Sequence, residues 1–315
     1  MGKAERIRRM NARERIAAQQ AAARRAEARR RMFIASGSVV VVIVIVIVLI
    51  IVKSASNTPS SASSASTSRV ATAAITSSVT HDVTTVPAST LNSVGAGSGV
   101  DKLVKTNGNP PILTSGGKPE VLFEGAEYCP YCAAERWALT VALSRFGTFS
   151  GLHLIHSTSS DIYSNTATLS FYKATYTSKY LTFTSVELYG LQDNGIPLQK
   201  PTKTQAALMS KYDAPPYIGS EYAGSYPFVD FGNQYLDLGA QYVPSALGSP
   251  ESVDSTHYGL SWSQIAADIR NPNSQVAQAV DGTANSITAA ICKITKNSDA
   301  SVCASPAAKA GAGSL

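Results

Sequence analysis

"EVLFEGAEYCPYCAAERWA", residues 120–138, passes from a β-favouring apolar run into a helix-favouring one through two cysteines three positions apart. Val121, Leu122 and Phe123 read as the core of a strand. Pro130 suits the first turn of a helix. Ala133, Trp137, Val141 and Leu143 supply its apolar positions, and Gly147 ends it. Cys129 therefore stands where a strand hands over to a helix. The free amides and the dipole at a helix N-terminus stabilise a thiolate there. Cys132 follows one turn along the same helix, in reach of a mixed disulfide on Cys129. The spacing predicts a nucleophile, Cys129, and a shielded resolving thiol, Cys132.

What those thiols do depends on which compartment they occupy. The chain of 315 residues carries a formal net charge of +6, which would suggest a nucleic-acid partner if it were spread over the fold. It is not spread: residues 1–32 hold eleven Lys/Arg against three acids, and the chain beyond residue 53 is slightly acidic. The basic segment has no aromatic residue and no recognisable binding motif, so no nucleic-acid partner is expected. Residues 33–52 contain no charge. Twenty residues of helix span roughly 30 Å, the thickness of a bilayer core, and in lipid a helix satisfies its own backbone. The run is longer than the h-region of a signal peptide, the competing reading. The flanking basic residues place the N-terminus in the cytoplasm and everything after residue 53 outside, in a single-pass cell-membrane protein. Residues 53–80 are mostly Ser, Thr and Ala. They are expected to form a flexible linker reaching roughly 30 Å, which keeps the domain at 81–315 close to the lipid surface.

That domain reads as α/β. "VPASTLNSVG" (86–95) suggests a short helix between Pro87 and Gly95. "LHLIHSTS" (152–159) reads as the second strand. "TLSFYKATYTSKYLTFTSVELY" (168–189) is dense in Thr, Tyr, Phe and Val and reads as a strand pair. "TKTQAALMSKYD" (202–213) reads as a helix, and "YPFVDFGNQYLDLG" (226–239) as two strands turning at Gly232 and Asn233. The end of the chain reads as two helices broken at Asn271 and Pro272.

Outside a membrane, four cysteines first suggest disulfides. Cys292 and Cys303 enclose ten residues, and closing that loop contributes about 3 kcal/mol, so this pair is expected to be structural. Cys129 and Cys132 enclose two residues and gain less. A metal clip is the weaker alternative, because zinc takes four ligands and the motif gives two. The nearest candidates, His153 and His156, are three apart on a strand and so point to opposite faces. No metal and no cofactor is expected. Trp137 reads as core packing, and Glu135 and Arg136 as a solvated helix face.

These residues carry a resemblance. "EVLFEGAEYCPYC" resembles the first active-site strand and redox motif of the thioredoxin fold, and "SYPFVDFGNQY" (225–235) its cis-proline segment. More narrowly, "GAEYCPYCAAERWA", "VPASTL" and the C-terminal "ITAAICK…SVC" resemble a family of membrane-anchored thioredoxin-like proteins of unknown function from actinobacteria and archaea. The resemblance implies a thioredoxin-like fold with an inserted segment, at about 160–225, preceded by one transmembrane helix. It implies that Pro130 and Tyr131 tune the cysteine pair and that Tyr226 and Pro227 form the substrate-pairing loop. Gapless alignment puts Phe123 where thioredoxin has a buried acid, so Glu124 serves as proton acceptor only if the strand is shifted by one. The expected function is a membrane-anchored extracytoplasmic thiol-disulfide oxidoreductase. Its partners would be the bilayer, cysteine-containing extracytoplasmic proteins and a membrane redox partner. The alternative is a non-catalytic thioredoxin-fold binding or scaffolding module.

Overall fold

The computed structural model describes residues 62–191, 196–251 and 259–315. The basic segment 1–32, the expected span 33–52 and the first part of the expected linker lie outside the described residues. Among the described residues no helix is long and apolar enough to cross a membrane. The rest of the linker departs from expectation, because Ala62–Thr84 forms helix α1. Its alanines favour helix over coil, and its last turns find a partner: Val79 and Val83 are buried in the core. Arg270 donates to Asp82 O at 3.0 Å and Thr85 O at 2.9 Å. A compact unit runs from Ala74 to Leu315, so folded structure begins before residue 81.

Helix α2 (Ala88–Val94) follows Pro87 and stops at Gly95, whose φ of 61° suits a residue without Cβ. The short strands β1 (Val104–Lys105) and β2 (Thr114–Ser115) lead to β3 (Lys118–Gly125) and helix α3 (Pro130–Ser144). Four short strands come next: β4 (Gly147–Ser150), β5 (His153–His156), β6 (Ala167–Ser170) and β7 (Thr175–Ser178). Strand β8 (Thr182–Glu187) and helix α4 (Lys203–Tyr212) precede the β9 (Phe228–Phe231) and β10 (Tyr235–Leu238) hairpin. Helices α5 (Trp262–Ile269), α6 (Gln275–Ile294), α7 (Ala300–Cys303) and α8 (Pro306–Gly311) close the chain.

Strand β3 is the hub of a mixed sheet. It pairs parallel with β8 over Glu120–Gly125 and antiparallel with β9 over Val121–Glu124. From β9 the sheet continues through β10 to β1, and β2 pairs with the start of β3. The β9–β10 hairpin turns where Gly232 and Asn233 both have positive φ. Side chains alternate along β3. Val121 and Phe123 join α3 and α6 in one core, whereas Leu122 joins Phe228, Leu236, Val186 and Tyr212 of α4 in another. The result is a helix layer on each face of the sheet.

Two expectations need correction. The stretch 168–189 holds three strands, not a pair, and none bonds to another of the three: β6 pairs with β5, β7 with β4, and β8 with β3. Thr- and Tyr-rich composition marks strands but says nothing of their partners. The strand that continues the sheet is therefore β8, not β5. The crossover from α3 to β8 forms the two ribbons β4–β7 and β5–β6, so the extra strands begin before residue 160.

Candidate functional site

The path of β3 into α3 fixes the cysteine pair. Cys129 is the N-cap of α3 with extended backbone, and Pro130 fills the first helical position, where no N–H is missed. The Cys129 Sγ takes the role a serine or aspartate oxygen plays at other helix starts, accepting the Cys132 N–H at 3.2 Å. Both cysteines are thiols. Cys129 is 7% exposed and Cys132 fully buried. Burial pushes the Cys132 thiol well above its ordinary value, the hydrogen bond and charge of Cys129 add to this, and Arg136 opposes it.

The expected substrate loop faces the outer thiol. The Cys129 Sγ–H donates to the Tyr226 carbonyl at 3.7 Å. The Tyr226–Pro227 peptide bond is cis and leads directly into β9. Burial raises the Tyr226 phenol to about 12, with further contributions from Tyr189 and Cys132. Tyr131 packs edge-on against Tyr163 at 5.7 Å, and Tyr128 lies 6.3 Å from Tyr189. The ribbon β5–β6 flanks the motif: Thr158 N–H donates to Tyr128 O at 2.8 Å and Thr168 Oγ1 to Ala133 O at 2.7 Å. Cys129, Pro130, Tyr131, Cys132, Tyr226 and Pro227 thus meet at one end of the sheet. Trp137 is fully buried and donates from Nε1 to Ala167 O at 2.9 Å.

Other expected residues lie apart. Cys292 and Cys303 form a disulfide with a Cα–Cα distance of 5.6 Å, tying the end of α6 to α7. Glu124 is buried but stands on the face of β3 opposite Phe123, opposite Phe228 and Val186 in register. The strand is not shifted, and it is Phe123 that shares a core with the cysteines. Burial raises Glu124 to about 7 without bringing it to the thiols. Histidines 153 and 156 diverge, as their spacing requires: His153 approaches Glu127 at 3.8 Å and the His156 ring lies tilted against Trp262 at 4.1 Å. Among the described residues no group of three His, Cys, Asp or Glu could hold a metal ion.

The expected solvated face of α3 is a further correction, since Glu135 and Arg136 are both fully buried. Arg136 pairs with Glu187 of β8 at 2.6 Å. Burial raises Glu135, while Asp237 and the Gln241 backbone oppose the rise. Two adjacent buried carboxyls cannot both ionise, so the pair retains a proton. The sequence held a signal for both. Ala133, Ala134, Trp137, Ala138, Leu139, Val141, Ala142 and Leu143 make α3 apolar all round, and such a helix is buried on every side, charges included. Glu127 was also missed: it is buried and accepts from Ser170 Oγ at 2.6 Å.

Fold and site together define a mixed α/β domain with a Cys-x-x-Cys pair at the start of a buried helix. The chain belongs to the family described as a domain of unknown function, DUF929, whose model matches residues 103–293. No curated protein and no solved structure matches it.

Proposed function

We propose that this chain is a membrane-anchored, extracytoplasmic thiol-disulfide oxidoreductase with a thioredoxin-like fold, acting through Cys129 and Cys132. The observation that carries the reading is the helix-start thiol of Cys129, capping α3 and facing the Tyr226 carbonyl, with Cys132 buried behind it. The chemistry follows from that division. A partner thiolate attacks Cys129 Sγ in the oxidised pair, the Cys129–Cys132 bond breaks, and its electron pair leaves on Cys132. A second partner thiolate then attacks the partner's own sulfur, releasing Cys129. The partner departs as a disulfide and the chain keeps two electrons as a dithiol. The reverse sequence reduces a partner disulfide.

The fold reading rests on connectivity. The order β8-β3-β9-β10, parallel in its first pair and antiparallel after, with the motif following β3 and Tyr226-Pro227 entering β9, supports the thioredoxin-like reading. The apolar run 33–52 supplies the anchor and the basic residues before it the orientation. That run contains no cysteine, so a separate membrane partner exchanges electrons with the site.

A Cys132→Ser variant tests the reading, because it can form a mixed disulfide but cannot resolve it. Affinity-purified from cells under acid quench, it should carry extracytoplasmic proteins bound through Cys129 and released by dithiothreitol. A folded variant that captures nothing beyond a Cys129→Ser/Cys132→Ser control counts against exchange.

A further inference from the structure

Helix α3 buries a charge beside the cysteine pair that the exchange described above does not use. Arg136 stands four residues after Cys132, so the two side chains leave the same face of the helix. Both are wholly buried. The guanidinium is fixed from several directions. Its Nε donates to Glu187 Oε1 at 2.9 Å and its Nη2 to Glu187 Oε2 at 2.6 Å. Nη2 also donates to Ala126 O at 2.8 Å, the same carbonyl that accepts from the Cys129 N–H at 3.2 Å. The Phe123 ring lies 5.6 Å from Cζ. That ring and Cys132 converge at Gly125, where a Cβ would sit 2.5 Å from Phe123 and 3.2 Å from Cys132 Sγ. Nη1 is buried with no hydrogen-bond partner. A donor buried at such cost is a candidate for charge that arises only transiently.

Resting on the oxidoreductase reading, we propose that Arg136 is the positioning residue of the exchange, its buried cation stabilising the Cys132 thiolate as that sulfur leaves the disulfide or attacks a mixed one. The same species occurs in both directions, so the assignment does not depend on which way the electrons run. When the partner sulfur bonds to Cys129, the electron pair of the broken bond resides on Cys132, beside the cation. In reverse, Cys132 gives that pair back to Cys129 and the partner thiolate departs.

The charged and titratable groups around the two sulfurs are Arg136, Glu187 behind it, and the phenols of Tyr131 and Tyr226. Burial pulls the Arg136 guanidinium down, but Glu187, and after it Cys132 and Cys129, carry it above its ordinary range. Cys132 is protonated at rest, so the cation acts on the rate and leaves the equilibrium potential near neutral pH unchanged. Glu187 partly shields the cation, and losing its charge should strengthen the effect.

The test is the rate at which dithiothreitol reduces the Cys129–Cys132 disulfide in the full chain at pH 7. It is read by alkylation and peptide mass, with the potential and a thermal melt measured alongside. The double variant R136M/E187M replaces the pair with apolar groups of similar volume, a change that folds tolerate. It should be reduced about tenfold more slowly, the loss expected if the leaving thiol rises by about two pKa units at a Brønsted slope near 0.5. Its potential should match wild type. E187Q should be reduced faster than wild type, and R136K, which keeps the cation, should stay within about threefold of it. A folded double variant reduced as fast as wild type overturns the assignment, and so does a tenfold loss in R136K. A folded wild-type disulfide that dithiothreitol does not reduce overturns the oxidoreductase reading itself.

Discussion

At the scale of single residues, the structure turns on buried ionisable groups, among them Glu135 and Arg136, which the sequence placed in solvent. The buried Glu135–Asp237 pair retains a proton, and burial raises Asp281, Asp230 and Glu124 to about 8, 7 and 7. The sign of the consequence is fixed. The unfolded chain loses these protons near pH 4 and the folded chain keeps them to near neutrality, so the folded state binds more protons across that window. Stability is therefore greatest at the acid end and falls as pH rises from about 5 to 8. Thermal melts across that range should show a falling midpoint, with a shallower fall in Glu135→Gln. A midpoint that climbs towards pH 8 would show these carboxyls to be ionised in the fold.

At the scale of elements, most helices and strands were legible because local chemistry and periodicity agree. Pro87 and Gly95 bracket α2, Pro130 opens α3, and Asn271-Pro272 separates α5 from α6. Helix α4 adds a capping box between Thr202 and Gln205. Strand partners were not legible. Nothing in 168–189 distinguishes the strand that extends the sheet from those that fold back on β4 and β5, because pairing is decided by residues distant in the chain. Helix α1 escaped for a related reason: its composition is that of a linker, and only the docking of Val79 and Val83 explains its last turns. The Cys292–Cys303 bridge belongs to this scale as well. Replacing both cysteines with alanine should lower unfolding free energy by about 2–4 kcal/mol, measured by urea titration, and leave exchange at Cys129 unchanged. A loss of exchange in the folded double variant would assign that bridge a role beyond stapling.

At the scale of the whole molecule, the site is assembled from three distant pieces: the β3–α3 junction, the loop before β9, and the ribbon β5–β6. The sequence pointed to the first two through the cysteines and the Tyr-Pro pair. It could not show the third, since Thr158, Tyr163 and Thr168 carry no motif and reach Tyr128, Tyr131 and Ala133 beside the cysteines only through the fold of the crossover. The same blindness put Glu124 forward and left Arg136 in solvent: alternation along β3 and burial of α3 are properties of the packed layers, not of either stretch alone.

The central claim, that Cys129 and Cys132 form a working redox pair, is tested most directly by their reduction potential, measured by equilibrating the protein with glutathione buffers and counting alkylated thiols. A potential between about −120 and −270 mV, the range of dithiols that exchange in cells, is predicted. A value below about −300 mV, that of a structural bridge, would contradict it.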